Sequence, residues 1–247
     1  MNFRLPSFGT VLIALLLTAS NASADQDGGL PEARIKELAL EAILENPEII
    51  KQAIGLLQQK QLARQQADVI TILTDRRKEL EEDPNAPVLG NAAGDVTLVE
   101  FFDYNCPYCK RAMQEVKTLL QADPNVRLVY REWPILSPGS VFAARAALAA
   151  RNQGKYEEFH WALMSFKGGI EESSTIEIAN EVGLDVEQLK VDMMAPEIEE
   201  HIRLSMNLAE ALNINGTPAF VVGENVYPGL LTSEQLSKAI EDVRSAQ

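Results

Sequence analysis

The two cysteines of the chain, Cys106 and Cys109, stand in "VEFFDYNCPYCK", with Pro107 and Tyr108 between them. The segment before them, "VTLVEFF" (96–102), is rich in β-branched and aromatic residues and predicts a buried strand. The segment that they open has apolar residues at helical spacing, namely Met113, Val116, Leu119 and Leu120. A second strand is predicted in the segment "VRLVYREW" that follows. This order predicts a right-handed parallel crossover with the cysteine pair at its first turn.

The remaining segments complete the prediction of an α/β fold. Residues 138–213 have helical spacing throughout, in segments separated by glycine, proline or capping residues. After them, "TPAFVVGENVYPG" predicts two short strands, and Thr232 with Gln235 predicts a capping box for a last helix that ends near Val243. Residues 81–87, "EEDPNAP", contain two prolines and predict a boundary with the segment before them.

The first residues predict an exported protein. Arg4 precedes an apolar run that ends near Leu17, and the segment closes on "ASA", so we expect a signal peptide, residues 1–24, cleaved after Ala24. The run is shorter than the ~18 residues that a membrane-spanning helix needs, and an uncleaved anchor is the alternative. The formal net charge of -14 argues against nucleic acid as a partner. Export would place the cysteines in a compartment where disulfides form.

Residues 25–84 predict an N-terminal helical region. Asn46 and Pro47 are typical of the cap and first position of a second helix. An apolar stripe interrupted by "QQKQLARQQ" follows at helical spacing: Ile50, Ala53, Ile54 and Leu57, then Val69, Ile70, Leu73 and Leu80. An apolar stripe has to be covered. We expect it to join the subunits of a homo-oligomer, and packing against the chain's own main domain is the alternative.

Cys106 is the predicted nucleophile of the pair. Because it follows a strand and opens a helix, free amide groups and the positive end of the helix face its sulfur and stabilise the thiolate. Pro107 suits this helix start, where its missing N–H would have no partner in any case. Cys109 lies one turn deeper and is predicted to be less exposed. It would act as the resolving cysteine that releases a mixed disulfide.

Two other interpretations of the cysteine pair stay open. A structural disulfide across C-x-x-C closes a minimal loop, which stabilises a protein least in the chain-entropy model. A zinc half-site needs two further ligands, and only His160 and His201 are available, at a spacing that matches no zinc finger. A C-x-x-C pair after a strand favours redox chemistry. We therefore expect no metal, and no cofactor other than the redox-active disulfide of Cys106 and Cys109.

Three more residues are candidates for the site. Glu100 is a carboxylate in an otherwise apolar strand and shares the side of Phe102. If Glu100 points into the domain, burial raises its pKa and lets it exchange a proton. The alternative, which the sequence supports equally, is an exposed acid at the edge of the strand. Thr217 and Pro218 stand just before a predicted strand. Cis bonds make up only ~5% of X–Pro bonds, so the residues alone predict a trans bond.

Three motifs, in this order, resemble the DsbA class of periplasmic thioredoxin-fold oxidoreductases, in particular its ScsC- and Com1-like branch. They are "VEFFDYNCPYC", "YREWPILSPGSVFAARAALAA" and "INGTPAFVVG". The resemblance implies a thioredoxin fold in residues 85–247, interrupted by a helical domain at about 137–210. The segment "LENPEII" is similar to the short helical N-terminal region of some ScsC-like proteins.

The resemblance also implies roles for individual residues. Pro218 would be cis and face Cys106, and Thr217 would supply backbone groups that pair with a bound substrate chain. Glu100 would be the buried acid beneath the cysteine pair. The implied partners are exported proteins that contain cysteines, and a membrane protein that resets the redox state.

The sequence departs from the strongest oxidants of this class at Tyr108, where they carry histidine. Tyrosine cannot add a positive charge beside the thiolate, so the disulfide should be less oxidising. Thr217, in place of valine, points toward the isomerase-like members. We therefore expect a protein disulfide isomerase or reductase. The alternatives are a dithiol oxidase that introduces disulfides, and a non-enzymatic binding protein that sequesters copper or holds unfolded chains.

Histidines and methionines outside these motifs are expected to be structural. His160 stands beside Phe159 and Trp161 on a predicted helix and is expected in the core, whereas His201 is expected at the surface. Methionine sulfur is a soft ligand that suits copper. At helical positions, however, we expect three methionines to fill the core: Met193, Met194 and Met206.

Overall fold

The computed structural model describes residues 30–246, in two compact units that divide between Gln58 and Gln59. The predicted signal peptide lies outside the described residues. Of the helices in the described part of the chain, none is long and apolar enough to cross a membrane.

The first unit is helical in its described residues, which confirms the prediction of an N-terminal helical region. Helix α1 spans Glu32–Glu45, and helix α2 (Glu48–Asp75) begins directly after Pro47, as the capping pattern predicts. The N–H of Asn46 donates to the carbonyl of Ala42 and closes α1. Large apolar side chains are exposed along both helices of this unit: Ile35, Leu40, Leu44, Ile49, Ile50, Ile54, Leu56 and Leu57.

The second unit is built on a five-stranded mixed sheet. Its strands, in the spatial order β1-β3-β2-β4-β5, are β1 (Val88–Gly90), β2 (Val96–Phe102), β3 (Val126–Glu132), β4 (Ala219–Val222) and β5 (Asn225–Pro228). Strands β2 and β3 are parallel, which confirms the predicted crossover, and the other neighbours are antiparallel. The sequence did not predict β1, because three residues are too few to show a period.

Helices cover this sheet and fill the connection between β3 and β4. Helix α3 (Arg77–Glu81) precedes β1, and α4 (Pro107–Ala122) joins β2 to β3. Between β3 and β4 the chain is helical, as predicted. This segment contains α5 (Pro138–Ala150), a 3₁₀ turn (Arg151–Gln153), α6 (Tyr156–Ser165), α7 (Glu172–Glu181), α8 (Val186–Asp192) and α9 (Pro196–Ala211). Helix α10 (Ser233–Ser245) ends the described chain and begins at the predicted capping box of Thr232 and Gln235.

Side chains of β2 alternate between two buried layers. Leu98 and Phe102 pack in a core that includes Cys109 of α4. Val99 and Phe101 pack on the other face, in a core to which residues of α2, α3 and α9 contribute. Burial on both faces explains why the strand is a near-continuous apolar run. The cysteine helix therefore follows a central strand that is buried on both faces.

The prediction for His201 is wrong, since the structure buries this side chain completely on α9. Its Nδ1 donates to Oδ2 of Asp83 at 2.7 Å, and its Nε2 accepts from the backbone N–H of Glu132 at 3.4 Å. Arg131, also fully buried, donates from Nη1 to the same Asp83 oxygen at 2.9 Å. No local pattern shows this group, because Asp83 belongs to the proline-rich boundary segment and its partners lie far along the chain.

His160 and the methionines divide between core and surface. His160 is buried on α6, with Nδ1 3.0 Å from the hydroxyl of Tyr104, which confirms the predicted core position. Met193 is buried as predicted. Met194 and Met206 are 77% and 50% exposed, so the prediction of core filling is wrong for them. Helical spacing alone did not show that these two side chains face outward.

We predict that Asp83→Ala lowers the free energy of unfolding by about 3–5 kcal/mol at neutral pH, because the charge of Arg131 is then buried without its partner. Urea unfolding at one fixed protein concentration measures this loss. Asp242→Ala is the control, since it removes an exposed carboxylate from Lys238 and should cost less than about 1 kcal/mol. A loss of that small size for Asp83→Ala would contradict the prediction.

The same carboxylate gives this stability a pH dependence. Burial raises the pKa of Asp83, but hydrogen bonds from His201 and the Asn85 N–H, with the charge of Arg131, outweigh burial and lower it from 3.8 to about 2. The stabilisation is therefore complete above pH 3.8 and is lost as the pH falls toward 2. In that window, Asp83→Ala should unfold with a flatter pH dependence than the wild type.

Candidate active site

Cys106 stands at the N-terminal cap of α4, four residues after β2 ends. Its backbone carbonyl accepts from the N–H of Lys110 at 3.1 Å, the first hydrogen bond of the helix. Pro107 occupies the first helical position, as predicted. In its thiol form Cys106 donates from Sγ to the carbonyl oxygen of Thr217 at 3.2 Å. The sulfur thus lies between a helix start and the loop before β4.

The surroundings of Cys106 favour its thiolate. The thiol of Cys109 donates a hydrogen bond to it, and this is the largest cause that lowers the pKa of Cys106 from 9.0 to about 5. Burial opposes the shift, while the Thr217 side chain and the backbone N–H groups of Cys109 and Tyr108 add to it. Free amides at a helix start stabilise an anion in this way.

Cys109 has the opposite environment. Its side chain is completely buried in the core beneath α4. Burial raises the pKa of the Cys109 thiol far above its usual range, and the hydrogen bond to Cys106 and the charge of Glu100 raise it further. The predicted order of exposure is confirmed, because Cys106 is 5% exposed and Cys109 is 0% exposed. Both sulfurs are free thiols in this structure.

Glu100 lies in the buried middle of β2 and not at an exposed edge, on the strand face against which Cys109 of α4 packs. Its Cα partner on β3 is Tyr130. Burial, followed by the negative charge of Cys106, raises the pKa of Glu100 to about 8, although a hydrogen bond from Tyr130 opposes the shift. Its Oε2 atom has no hydrogen-bond partner among residues 30–246. A carboxyl group in this state can exchange a proton near neutral pH.

The Thr217–Pro218 peptide bond is cis. The trans bond expected from the residues alone is therefore wrong, and the cis bond implied by the family resemblance is confirmed. A base rate for X–Pro bonds contains no tertiary context. Here the context is β4, whose Ala219 pairs antiparallel with Phe101 of β2 and so brings the preceding peptide against Cys106.

Tyr108, like Pro107, is an exposed residue of the C-P-Y-C segment. Its side chain is 56% exposed, and the guanidinium of Arg111 lies 5.7 Å from its ring centroid. Tyr108 thus presents an aromatic surface next to the nucleophilic sulfur. In the part of the chain that the structure describes, no group of three or more histidine, cysteine or acidic side chains is placed to hold a metal ion.

Sequence reasoning missed Asp103 and Asn105, which connect the cysteine turn to neighbouring loops by hydrogen bonds. Both are close to Cys106 in the chain, and the N–H of Cys106 donates to the carbonyl of Asp103 at 3.1 Å. Their side chains bond to loops that follow β3 and α6. Asp and Asn before a helix are a local signal for turns, but no local signal shows partners more than thirty residues away.

Comparison with known proteins gives the family. The model of the DSBA-like thioredoxin domain matches residues 97–241, the region that carries both cysteines and the Thr217–Pro218 loop. The chain belongs to this family. The resemblance to the DsbA class is thereby confirmed, and with it the thioredoxin fold with inserted helices.

Solved structures agree with this assignment. A thioredoxin-like oxidoreductase from Silicibacter pomeroyi is 63% identical, with a TM-score of 0.69, and the match covers 69% of this chain and 99% of that one. The thiol-disulfide exchange protein α-DsbA2 from Wolbachia pipientis is 28% identical, with a TM-score of 0.68 and coverage of 73% and 98%. ScsC from Proteus mirabilis in a compact conformation is 26% identical, with a TM-score of 0.67 and coverage of 87% and 99%. The second unit therefore has the fold of a thiol–disulfide oxidoreductase.

Curated relatives are longer proteins. A Na(+)/H(+) antiporter NhaA 1 from Salinispora arenicola is 31% identical over 155 residues, which are 62% of this chain and 24% of the relative. An NhaA 1 from a Mycobacterium strain is 33% identical over 172 residues, 26% of its length. The chain thus spans about a quarter of the length of these relatives.

Proposed function

We propose that this protein exchanges disulfides with exported proteins through Cys106 and Cys109, and that its main role is isomerase or reductase. The observation that carries the proposal is the contrast between the two sulfurs. Cys106 has a pKa of about 5 at the helix start, while the pKa of Cys109 is raised by burial one turn below. At neutral pH one sulfur is therefore an anion ready to attack, and the other is held as a thiol.

The first step is attack by the Cys106 thiolate on one sulfur of a client disulfide. A bond forms between Cys106 Sγ and that sulfur, and the other client sulfur leaves as a thiolate that takes a proton from water. If a client thiol attacks this mixed disulfide, the client leaves with a rearranged disulfide. If Cys109 attacks Cys106 Sγ instead, the client leaves as a dithiol and Cys106 and Cys109 form a disulfide.

Attack by Cys109 requires a base, and we assign this role to Glu100. The charge of Cys106 is one cause of the raised pKa of Glu100. This charge disappears when Cys106 enters a mixed disulfide, so Glu100 then ionises more readily. The carboxylate thus becomes available at the step in which the Cys109 thiol has to lose its proton.

We predict that Glu100→Gln slows the release of a Cys106 mixed disulfide about 100-fold, because the base is lost. Rapid acid quenching after mixing with a peptide disulfide measures formation and release separately. Glu132→Gln is the matched control, since Glu132 is equally buried on β3 but accepts hydrogen bonds from Tyr104 and Tyr156. Equal release rates in the wild type and Glu100→Gln would remove Glu100 from the mechanism.

The loop of Thr217 and Pro218 is proposed to bind the client backbone. Its carbonyl already contacts Cys106 Sγ, so a client sulfur at Cys106 would lie beside this loop. A client segment in extended form can pair with such main-chain groups without a fixed sequence. Pro107 holds the start of α4, and Tyr108 presents its exposed ring in the first turn of that helix.

Two features support an isomerase or reductase over a dithiol oxidase. Tyr108 adds no positive charge beside the thiolate, which leaves the disulfide less oxidising than a basic residue would. The exposed apolar stripe of the N-terminal helices offers a surface through which subunits could join. Several sites in one assembly would suit the rearrangement of wrong disulfides in one client.

The proposed location is the periplasm, after cleavage of residues 1–24. A similar solved structure, 27% identical, is a periplasmic thioredoxin-like protein from Salmonella enterica serovar Typhimurium. In that compartment a membrane partner has to return electrons to the cysteine pair, since an isomerase needs Cys106 as a thiolate.

We predict that the full chain restores activity to scrambled ribonuclease. Ile54→Asp with Leu57→Asp should lower the sedimenting mass and slow this unscrambling, while oxidation of reduced ribonuclease continues. Gln52→Asp with Gln59→Asp is the matched control, because it adds equal charge on the opposite face of α2. Oxidation of reduced ribonuclease without unscrambling by the wild type would show a dithiol oxidase instead.

A further inference from the structure

A cavity of about 520 Å³ opens beside the active-site turn, where helix α4 meets the loop that follows α6. Asn105 and Pro107, the two neighbours of Cys106 in the chain, contribute to its lining. We call this cavity the Lys110 pocket, after the lysine of α4 that also lines it. A substrate whose sulfur lies at Cys106 is therefore next to the pocket.

The charge of the pocket differs from that of the whole chain. The formal net charge of the protein is -14, yet the lining contains two lysines, Lys110 and Lys167, and neither aspartate nor glutamate. Within residues 30–246, neither lysine is among those that pair with a carboxylate. Met113 and Met164 add apolar wall, which strengthens an electrostatic contact made there. The pocket thus offers positive charge that its own lining does not neutralise.

Hydrogen bonds to backbone groups hold Lys110 in place. Its Nζ donates to the carbonyl of Phe166 and to that of Gly168, each at 2.9 Å. Both acceptors are neutral, and a lysine ammonium group has three protons, so one proton is left for a further acceptor. Burial lowers the pKa of Lys110, as expected for a cation without a counter-charge. An acceptor that carries a negative charge would form the strongest hydrogen bond to this group.

The distance from Cys106 determines which part of a client can reach the pocket. Lys110 lies four residues after Cys106, which is roughly 6 Å further along the helix. An extended chain advances about 3.3 Å per residue, and residues two positions apart point to the same side. When a client cysteine lies at Cys106, the side chains two positions from that cysteine are therefore the ones that can enter the Lys110 pocket.

We propose that the Lys110 pocket binds an acidic side chain of a client polypeptide, two residues from the client cysteine that reacts with Cys106. The inference rests on the proposed function and adds a substrate preference to it. Cysteines flanked by aspartate or glutamate would react faster than cysteines flanked by neutral residues. Lys110 and Lys167 would determine this specificity without taking part in the exchange of electrons.

The test uses short peptides with blocked ends, each with one cysteine bonded to 2-thiopyridine. Either glutamate or glutamine stands two positions before and two positions after that cysteine. The Cys106 thiolate attacks the peptide sulfur, a disulfide forms between them, and thiopyridine leaves and takes a proton from water. The released thiopyridine is uncharged and absorbs light, so the rate is measured directly with the full chain.

The wild type should react about fivefold faster with the glutamate peptide at subsaturating concentration, since a partly exposed ion pair supports a preference of this size. Lys110→Gln with Lys167→Gln should bring the ratio of the two rates close to one. Because each ratio compares two peptides on the same protein, a change in the reactivity of Cys106 cancels.

Lys117→Gln is the matched control for Lys110→Gln, since it removes the same charge from the same helix. Lys117 lies over the ring of Trp161, 4.5 Å from its centroid, and does not line the pocket. It is seven residues from Lys110, roughly 10 Å along the helix. At physiological salt the screening length is about 8 Å, so Lys117→Gln should keep the wild-type ratio.

A second variant covers the case in which loss of Lys110 disturbs the loop that it holds. Lys167 is exposed, so Lys167→Glu should leave the fold intact. It should lower the preference for glutamate and raise the rate with a peptide that carries lysine at the same two positions. A purely structural role of the lysines would change thermal stability and leave these ratios as in the wild type.

A wild-type ratio near one would overturn the inference while the proposed function stands, because the protein still exchanges disulfides. Equal ratios in Lys110→Gln and Lys117→Gln would overturn it too, since the general field of the protein would then be the cause. An unchanged preference in Lys167→Glu has the same consequence. If the wild type reacts with neither peptide, the proposed function fails as well.

Discussion

The hydrogen bond from the Cys109 thiol to the Cys106 thiolate at the start of α4 is the interaction on which the rest of the site depends. It requires one sulfur outside the helix and the other one turn inside it, which the C-P-Y-C spacing supplies. Burial of Cys109 keeps its proton in place, and that proton stabilises the charge on Cys106. The active pair therefore depends on a difference in burial, which favours the anion at Cys106 and the neutral thiol at Cys109.

This difference in burial between the two cysteines requires a rigid support. Strand β2 leads directly to the cysteine and is buried on both faces, so the helix start cannot move without disturbing two cores. Strand β4 brings Thr217 to the sulfur from one side, and Asp103 holds the loop after β3 on another. Polar groups next to the ends of the strands thus fix the surroundings of Cys106 Sγ, while apolar side chains along the strands stabilise the sheet.

The sequence predicted the elements around the cysteines well, because the signals there are local. The bounds of β2 match the predicted 96–102, and the capping box of α10 is present. The failures share one physical cause. His201 donates a hydrogen bond to Asp83, which lies more than a hundred residues before it. The peptide before the cis Pro218 contacts Cys106, and Asp103 accepts hydrogen bonds from the loop after β3. Each depends on contacts between distant segments, which composition and periodicity do not contain.

The direct test of this account is the ionisation of Cys106. The ultraviolet absorbance of the thiolate can be followed from acid to alkaline pH in the reduced wild type and in Cys109→Ala. The account predicts a midpoint near pH 5 in the wild type and a clearly higher one in the variant, because the thiol donor is gone. A wild-type midpoint near 9, the ordinary value for a cysteine, or equal midpoints in both proteins would contradict it.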